Sequence, residues 1–221
     1  MSQLSPTAVL ESDNTIQQWY TGLQAKRPLL VVICGPSGVG KDATIKRMKE
    51  RGYSCHFVVT ATTRAIRPGE VDGVDYHFVT EETFAHMLAH GELLEHAQVY
   101  GQHKGIPKFD VRQALESGQD AVLRVDVQGA ATMCRMVPQA VTIFLTAESE
   151  EELIERLRRR RTEDEAQLHA RITTARAELL RVNEFKYRVL NRECALDEAV
   201  EQVIAIMQAE KCRVDWEPVQ L

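Results

Sequence analysis

Hydrophobic and polar positions along the chain repeat in two periods. The apolar run Leu29–Cys34 leads into a glycine-rich stretch and then into Ala43, Ile45 and Met48, spaced through a basic segment. That order predicts strand, loop and helix. Further apolar runs at His56–Thr60, Ala121–Val127, Val141–Thr146 and Tyr187–Asn191 have the length of buried strands, and segments of helical period follow them, such as Leu196, Val200, Val203 and Met207. Strands alternating with helices predict an α/β fold, a parallel sheet covered by helices on both faces. Between Thr60 and Pro107 the rhythm breaks. Pro68, Gly69 and Gly73 separate short β-like segments, and one helix is expected near Glu81–His90. The stretch reads as an inserted substrate subregion.

Composition narrows the class. Of 221 residues, 44% are hydrophobic and 27% charged, the balance of a folded globular protein. The longest apolar run, Leu29–Cys34, is far shorter than the roughly 20 residues a membrane helix needs. The first 25 residues carry Glu11 and Asp13 and no basic start leading into an apolar block, so no import signal is expected and a cytoplasmic location follows. A short helix is expected around Thr15–Leu23, within an extension of residues 1–27. Five cysteines without a C-x-x-C pair predict reduced, mostly buried thiols. The net charge of −5 disfavours nucleic acid as a partner. Arginine nevertheless outnumbers lysine, and Arg156 and Arg158–Arg161 form a dense run. Local anion binding is expected there.

The glycine-rich stretch Gly35-Pro36-Ser37-Gly38-Val39-Gly40-Lys41 fits G-x-x-x-x-G-K, in which backbone N–H groups wrap the phosphates of a nucleotide. The following helix aims its positive end at them. Lys41 would meet the β and γ phosphates and follow the γ-phosphoryl group during transfer. Asp42 stands where a Ser or Thr hydroxyl normally binds Mg²⁺; a carboxylate is also a hard oxygen ligand, so Asp42 is a candidate for the metal carried by ATP. Ala43 completes the nucleotide-binding segment.

Downstream, T-A-T-T-R-A-I-R-P-G-E-V-D-G-V-D-Y-H-F-V begins at Thr60 and sets Arg64 and Arg67 three apart beside turn formers. Two guanidinium forks on one short segment suit a phosphate. Here the chain resembles guanylate kinase, whose signature is this segment after a phosphate loop. The likeness continues in order through Glu95, Tyr100-Gly101, Gly105, Asp126-Val127-Gln128-Gly129, the arginine run and Asn191, covering residues 28–212. The resemblance implies a P-loop NTPase-type parallel sheet flanked by helices, a core of residues 28–59, 108–151 and 183–212, a GMP-binding insert of residues 60–107, a helical lid of residues 152–182, and a tail of residues 213–221. It implies phosphoryl transfer from ATP to GMP. Arg64, Arg67 and Tyr76 would then hold the GMP phosphate, Glu95 would accept hydrogen bonds from guanine N1–H and N2–H₂, and Asp126 would lie near guanine and the reacting centre. Arg156, Arg160 and Arg171 match lid arginines that close on the transferring group, and Asn191 matches a position near adenine.

Several positions depart from the family pattern. Lys104 replaces a second tyrosine and could still meet a phosphate. Ile106 replaces a Ser or Thr near guanine, which shifts recognition of O6 toward Thr60 or water. Arg124 stands where an acidic residue is common. Together with G-K-D-A and K-G-I-P, these resemble the branch found in plastids and some bacteria. Two other readings remain: a non-catalytic guanylate-kinase-like binding module, disfavoured by the retained Lys41, Arg64 and Arg67, and a same-fold kinase of a phosphorylated sugar, disfavoured by Glu95 and D-V-Q-G. His86 and His90 lack a third ligand in register and read as surface histidines.

Overall fold

The computed structural model describes residues 16–17, 20–22, 25–99, 101–159 and 165–221. In chain order its strands are β1 (Leu30–Cys34), β2 (His56–Phe57), β3 (Ala61–Thr62), β4 (His77–Phe78), β5 (Leu93–Val99), β6 (Gln102–Pro107), β7 (Ala121–Arg124), β8 (Val141–Thr146) and β9 (Tyr187–Leu190). The helices are α1 (Lys41–Glu50), α2 (Glu81–Ala89), α3 (Lys108–Glu116), α4 (Val127–Met136), α5 (Glu150–Arg159), α6 (Glu165–Leu179) and α7 (Leu196–Lys211).

A five-stranded sheet runs β2-β7-β1-β8-β9, and every pairing in it is parallel. Strand β1 lies at its centre. Val31 and Ile33 turn to one face, against Met48 of α1 and Val200, Val203 and Met207 of α7. Leu30, Val32 and Cys34 turn to the other, against Val111 of α3 and Val127, Ala130 and Met133 of α4. A strand covered on both faces has no polar side, which is why β1 reads as an unbroken apolar run. Each of its side chains contributes about 1.5–3 kcal/mol by leaving water. The α/β architecture expected from the alternating pattern is therefore the one observed.

The interrupted stretch forms a second sheet in the order β4-β3-β6-β5, where β3 and β4 are parallel and the other pairs antiparallel. Two expected strands end differently. The run His56–Thr60 divides between the sheets: Val58 N–H still donates to Val122 O at 3.0 Å, but Val59 N–H turns to the Asp110 carboxylate at 3.1 Å, and β3 then joins the second sheet. The run Ala121–Val127 stops at Arg124, because the Asp126 side chain accepts from Gly129 N–H at 2.8 Å and caps α4. Hydrophobicity alone does not distinguish a buried strand residue from the buried first turn of a helix.

The cysteines correct an expectation, since only Cys34 is buried; Cys55 and Cys134 are half-buried, and Cys194 and Cys212 are exposed. The C-terminal segment packs on the core, with Trp216 against the α1/α7 side and Val219 and Leu221 against the α3/α4 side. Arg27 donates to the carbonyls of Lys211 and Arg213 at the end of α7, where a cation complements the helix dipole. Ile16, Gln17 and Tyr20–Gly22 are helical, while the remainder of the expected N-terminal helix lies outside the described residues. Among the described residues no helix is long and apolar enough to cross a membrane.

Candidate active site

The parallel sheet ends its strands along one edge, and the sequence-predicted residues follow those ends. The phosphate loop follows β1, Asp126 follows β7, and Asn191 follows β9. In open α/β sheets ligands bind in this crevice. The loop begins at Gly35 with φ 141°, and a Cβ there would stand 2.2 Å from Leu145 O, so no side chain can replace it without moving β8. The far end of the loop is strapped to β9. Asn191 Nδ2 donates to Val39 O at 2.8 Å, and Arg156 donates both to Val39 O at 3.2 Å and to Asn191 O at 2.7 Å while pairing with Glu152. Asn191, 5% exposed, thus acts on the loop backbone itself. Arg171, from α6, reaches Ser37 Oγ at 3.0 Å.

Lys41 opens α1 and folds back on the loop, donating to Gly35 O at 2.5 Å and Pro36 O at 3.0 Å. Burial holds its ammonium below the ordinary lysine value, against the opposing charges of Glu178 and Asp42. Glu178 of α6 was not singled out by the sequence. Its carboxyl is pushed upward by burial, partly offset by Lys41, and it accepts from the Ser37 backbone N–H. Its Oε2 is buried without a hydrogen-bond partner among the described residues. A carboxylate therefore stands against the loop whose N–H groups suit phosphate oxygens.

On the second sheet, Arg64 is buried and grips Glu70 with both guanidinium nitrogens, at 2.7 and 2.9 Å. The same carboxylate accepts from Arg67 N–H at 2.8 Å, so the R-A-I-R-P-G-E segment closes on itself. The Arg67 side chain remains exposed. Cations gather on Tyr76: Arg124 Cζ lies 4.7 Å, Arg64 Cζ 5.1 Å and Lys104 Nζ 6.0 Å from its ring centroid. Burial first, then repulsion from Arg124, pulls the Lys104 ammonium below its usual value. Three cations on one ring make an electropositive cluster, suited to a dianionic phosphate. Thr60 is buried behind it, its carbonyl accepting from His77 N–H at 2.9 Å, and Ile106 is fully enclosed.

Glu95 stands on β5 with 5% exposure. Burial, reinforced by the Asp126 charge, pushes its carboxyl up to about 7. A Cβ on Gly129 would meet Glu95 Oε1 at 2.5 Å, so the last residue of D-V-Q-G leaves room for this carboxylate. Asp126 is held by α4 as its cap, and its charge acts on Glu95, Lys41 and Lys104.

Asp42, one residue into α1, forms an ion pair with Arg124 from the end of β7. Among the described residues no three His, Cys, Asp or Glu side chains converge on a metal position. The carboxylate at this position, Asp42, is a hard oxygen donor of the kind Mg²⁺ takes singly or in pairs beside water and phosphate oxygens. His86 and His90 stack at 3.9 Å on the exposed face of α2. Arg160, Arg161 and Tyr100 lie outside the described residues. Arg159 pairs with Glu155 and Glu193 on the surface.

The chain is similar to known proteins over most of its length. Residues 26–210 match the family model described as guanylate kinase. Among curated proteins, guanylate kinase 2, chloroplastic/mitochondrial, of Oryza sativa subsp. japonica is 53% identical over 196 residues, spanning 88% of this chain and 69% of the relative. The guanylate kinase of Clostridium perfringens (strain SM101 / Type A) is 41% identical over 189 residues, 86% of this chain and 87% of the relative. The crystal structure of guanylate kinase from Anaplasma phagocytophilum aligns with a TM-score of 0.70 at 29% identity, covering 86% of this chain and 89% of that one.

A carboxyl raised by burial favours the folded state only when protonated. Its contribution is full below the unfolded-state value near 4.5 and is lost as pH rises through about 7. Glu95→Gln, a neutral isostere, should leave the unfolding free energy unchanged at pH 4 and raise it by about 3 kcal/mol at pH 8. Urea denaturation at the two pH values checks this; an equal effect at both would remove the charge of Glu95 as the cause.

Proposed function

The chain belongs to the guanylate kinase family, and from this we infer that it transfers the γ-phosphoryl group of ATP to GMP, with its named residues divided between the two substrates. A phosphate oxygen of GMP attacks the γ-phosphorus, the bond to the β-phosphate oxygen of ATP breaks, and ADP and GDP result. No protein nucleophile is required. GMP is largely dianionic at neutral pH because its second phosphate pKa is about 6. Catalysis then consists of positioning and charge neutralisation.

The observation that carries the reading is the buried Glu95 carboxylate beside Asp126, on the insert and facing the phosphate-loop edge. Guanine offers N1–H and N2–H₂ side by side on its Watson–Crick edge, and adenine lacks that pair of donors. A carboxylate accepts both. Arg64, Arg67, Tyr76 and Lys104 would receive the GMP phosphate, with Thr60 the nearest candidate for guanine O6. Gly35–Ala43 would cradle the ATP phosphates, Asn191 would keep the loop closed beneath the adenine side, and Arg156, Arg160 and Arg171 would neutralise charge as the lid closes. Lys41 would leave the loop carbonyls for the phosphates. Mg²⁺ bound with ATP would neutralise the phosphate chain, and Asp42 is the residue that would hold it, directly or through water. The cytoplasmic location expected from the sequence is kept as part of this proposal, although the rice relative carries a chloroplastic/mitochondrial name.

Three measurements test the assignment. ADP formation from Mg-ATP should occur with GMP and not with AMP, UMP or ribose 1,5-bisphosphate; turnover with another of these, or with none, overturns it. Lys41→Ala should lower kcat at least about a hundredfold with the fold intact by circular dichroism, whereas near-normal turnover would take Lys41 out of the reaction. In the wild-type enzyme kcat/KM for GMP should fall as pH drops below about 7, because the protonated Glu95 cannot accept both guanine donors. A flat profile between pH 8 and 6 would sink that role.

A further inference from the structure

Two departures from the family pattern, an aspartate just after the loop lysine and an arginine at the end of β7, meet in the fold. The Arg124 side chain is 24% exposed and crosses from β7 to pair with Asp42, which is 61% exposed. The same guanidinium lies 4.7 Å from the Tyr76 ring, closer than Arg64 or Lys104. One side chain therefore touches the first turn of the phosphate-loop helix and the aromatic floor of the acceptor pocket.

Stability does not account for this arrangement. An ion pair with one partner mostly in water contributes about 0–1 kcal/mol. Against it stands the crowding of a third cation beside Arg64 and Lys104, whose ammonium is depressed first by burial and then by Arg124. Each guanidinium of the cluster has its own carboxylate: Arg64 has Glu70, from the insert, and Arg124 has Asp42, from the donor loop. An arriving phosphate that draws on Arg124 must also act on Asp42. The reverse holds when a nucleotide and its cation draw on Asp42.

We propose that Arg124 is a positioning residue that couples the two substrate sites, holding Asp42 on the ATP side and the Tyr76 cluster on the GMP side, so that each substrate tightens the binding of the other. The inference rests on the ATP and GMP assignment above. Linkage requires the coupling to be equal in both directions. It also requires Arg124 and Asp42 to behave as one unit, so that removing either abolishes the coupling and removing both does no further harm.

The test is calorimetric titration of GMP with and without a non-hydrolysable ATP analogue and Mg²⁺, on wild type, Arg124→Ala, Arg124→Lys, Asp42→Asn and the double variant Arg124→Ala/Asp42→Asn. In the wild type the analogue should tighten GMP at least about fivefold. In Arg124→Ala, Asp42→Asn and the double variant the factor should fall below about twofold, and Arg124→Lys, which keeps the charge without the planar fork, should fall between. Thermal midpoints should move by only a few degrees, and Arg124→Lys carries the test if the alanine variant fails to fold. Undiminished coupling in Arg124→Ala, or no coupling in the wild type, overturns the proposal. Failure of wild-type protein to bind or phosphorylate GMP would instead overturn the acceptor assignment, so the two failures are distinguishable.

Discussion

The site depends on a single strand held rigid from both sides. Strand β1 is enclosed at all of its positions, with parallel neighbours on either edge and a hydrophobic layer above and below. Its end therefore cannot shift without disturbing two core layers. Gly35, turning where a Cβ would strike Leu145 O, converts that rigidity into the path of the phosphate loop. Close-packed interiors transmit strain instead of absorbing it. The loop backbone is thus preorganised by the core, and the strap from Asn191 and Arg156 fixes its far end to a different strand.

Around this fixed frame the charges are arranged in pairs that cross element boundaries. Arg64 with Glu70 closes the insert's own turn, Arg124 with Asp42 joins β7 to α1, and Arg156 with Glu152 stiffens α5 beneath the loop. Each carboxylate keeps a guanidinium extended and oriented in a rotamer it would otherwise sample among many. An anionic ligand then meets donors already in place, and the ordering cost of long side chains is met in part by folding. Because most of these carboxylates are themselves anions near a phosphate site, the pairing also limits the affinity that such a dense set of arginines would otherwise have for any polyanion.

Much of this was legible from the chain, and the reasons differ by feature. The parallel α/β class followed from β1, whose burial on both faces leaves an uninterrupted apolar run, and from the helical spacing of Val200, Val203 and Met207. The family followed from ordered, dense motifs. The strand-to-helix switch at Asp126 was not legible as a boundary, since the apolar residues on both sides of it are buried alike. Nor were Glu70 and Glu178. Glu70 is an ordinary turn residue until Arg64 folds over it, and Glu178 lies 137 positions after the lysine it opposes, on a helix that is otherwise half exposed. A contact of that separation has no local signal. Asp42 and Arg124 were each visible as departures, but 82 positions apart nothing in the sequence joined them.

Glu95 and Lys41 share a physical condition that explains why this scaffold accepts some strain. Burial drives each toward its neutral form, raising the acid and lowering the base, although the proposed function uses both in their charged forms. Lys41 rests meanwhile on the carbonyls of Gly35 and Pro36, contacts that binding would exchange for phosphate oxygens. In the proposed function the free protein bears the desolvation and the substrates would relieve it: guanine donors would favour the Glu95 carboxylate, and phosphate oxygens the Lys41 ammonium. On the proposed assignment that free energy is recovered in two places, from the guanine base at Glu95 and from the phosphate chain at Lys41. A nucleotide with the wrong base would leave Glu95 buried and unpaired, which costs more than the mere absence of a contact. Discrimination at the acceptor site and the stability cost expected of an ionised Glu95 would then have the same origin, its burial.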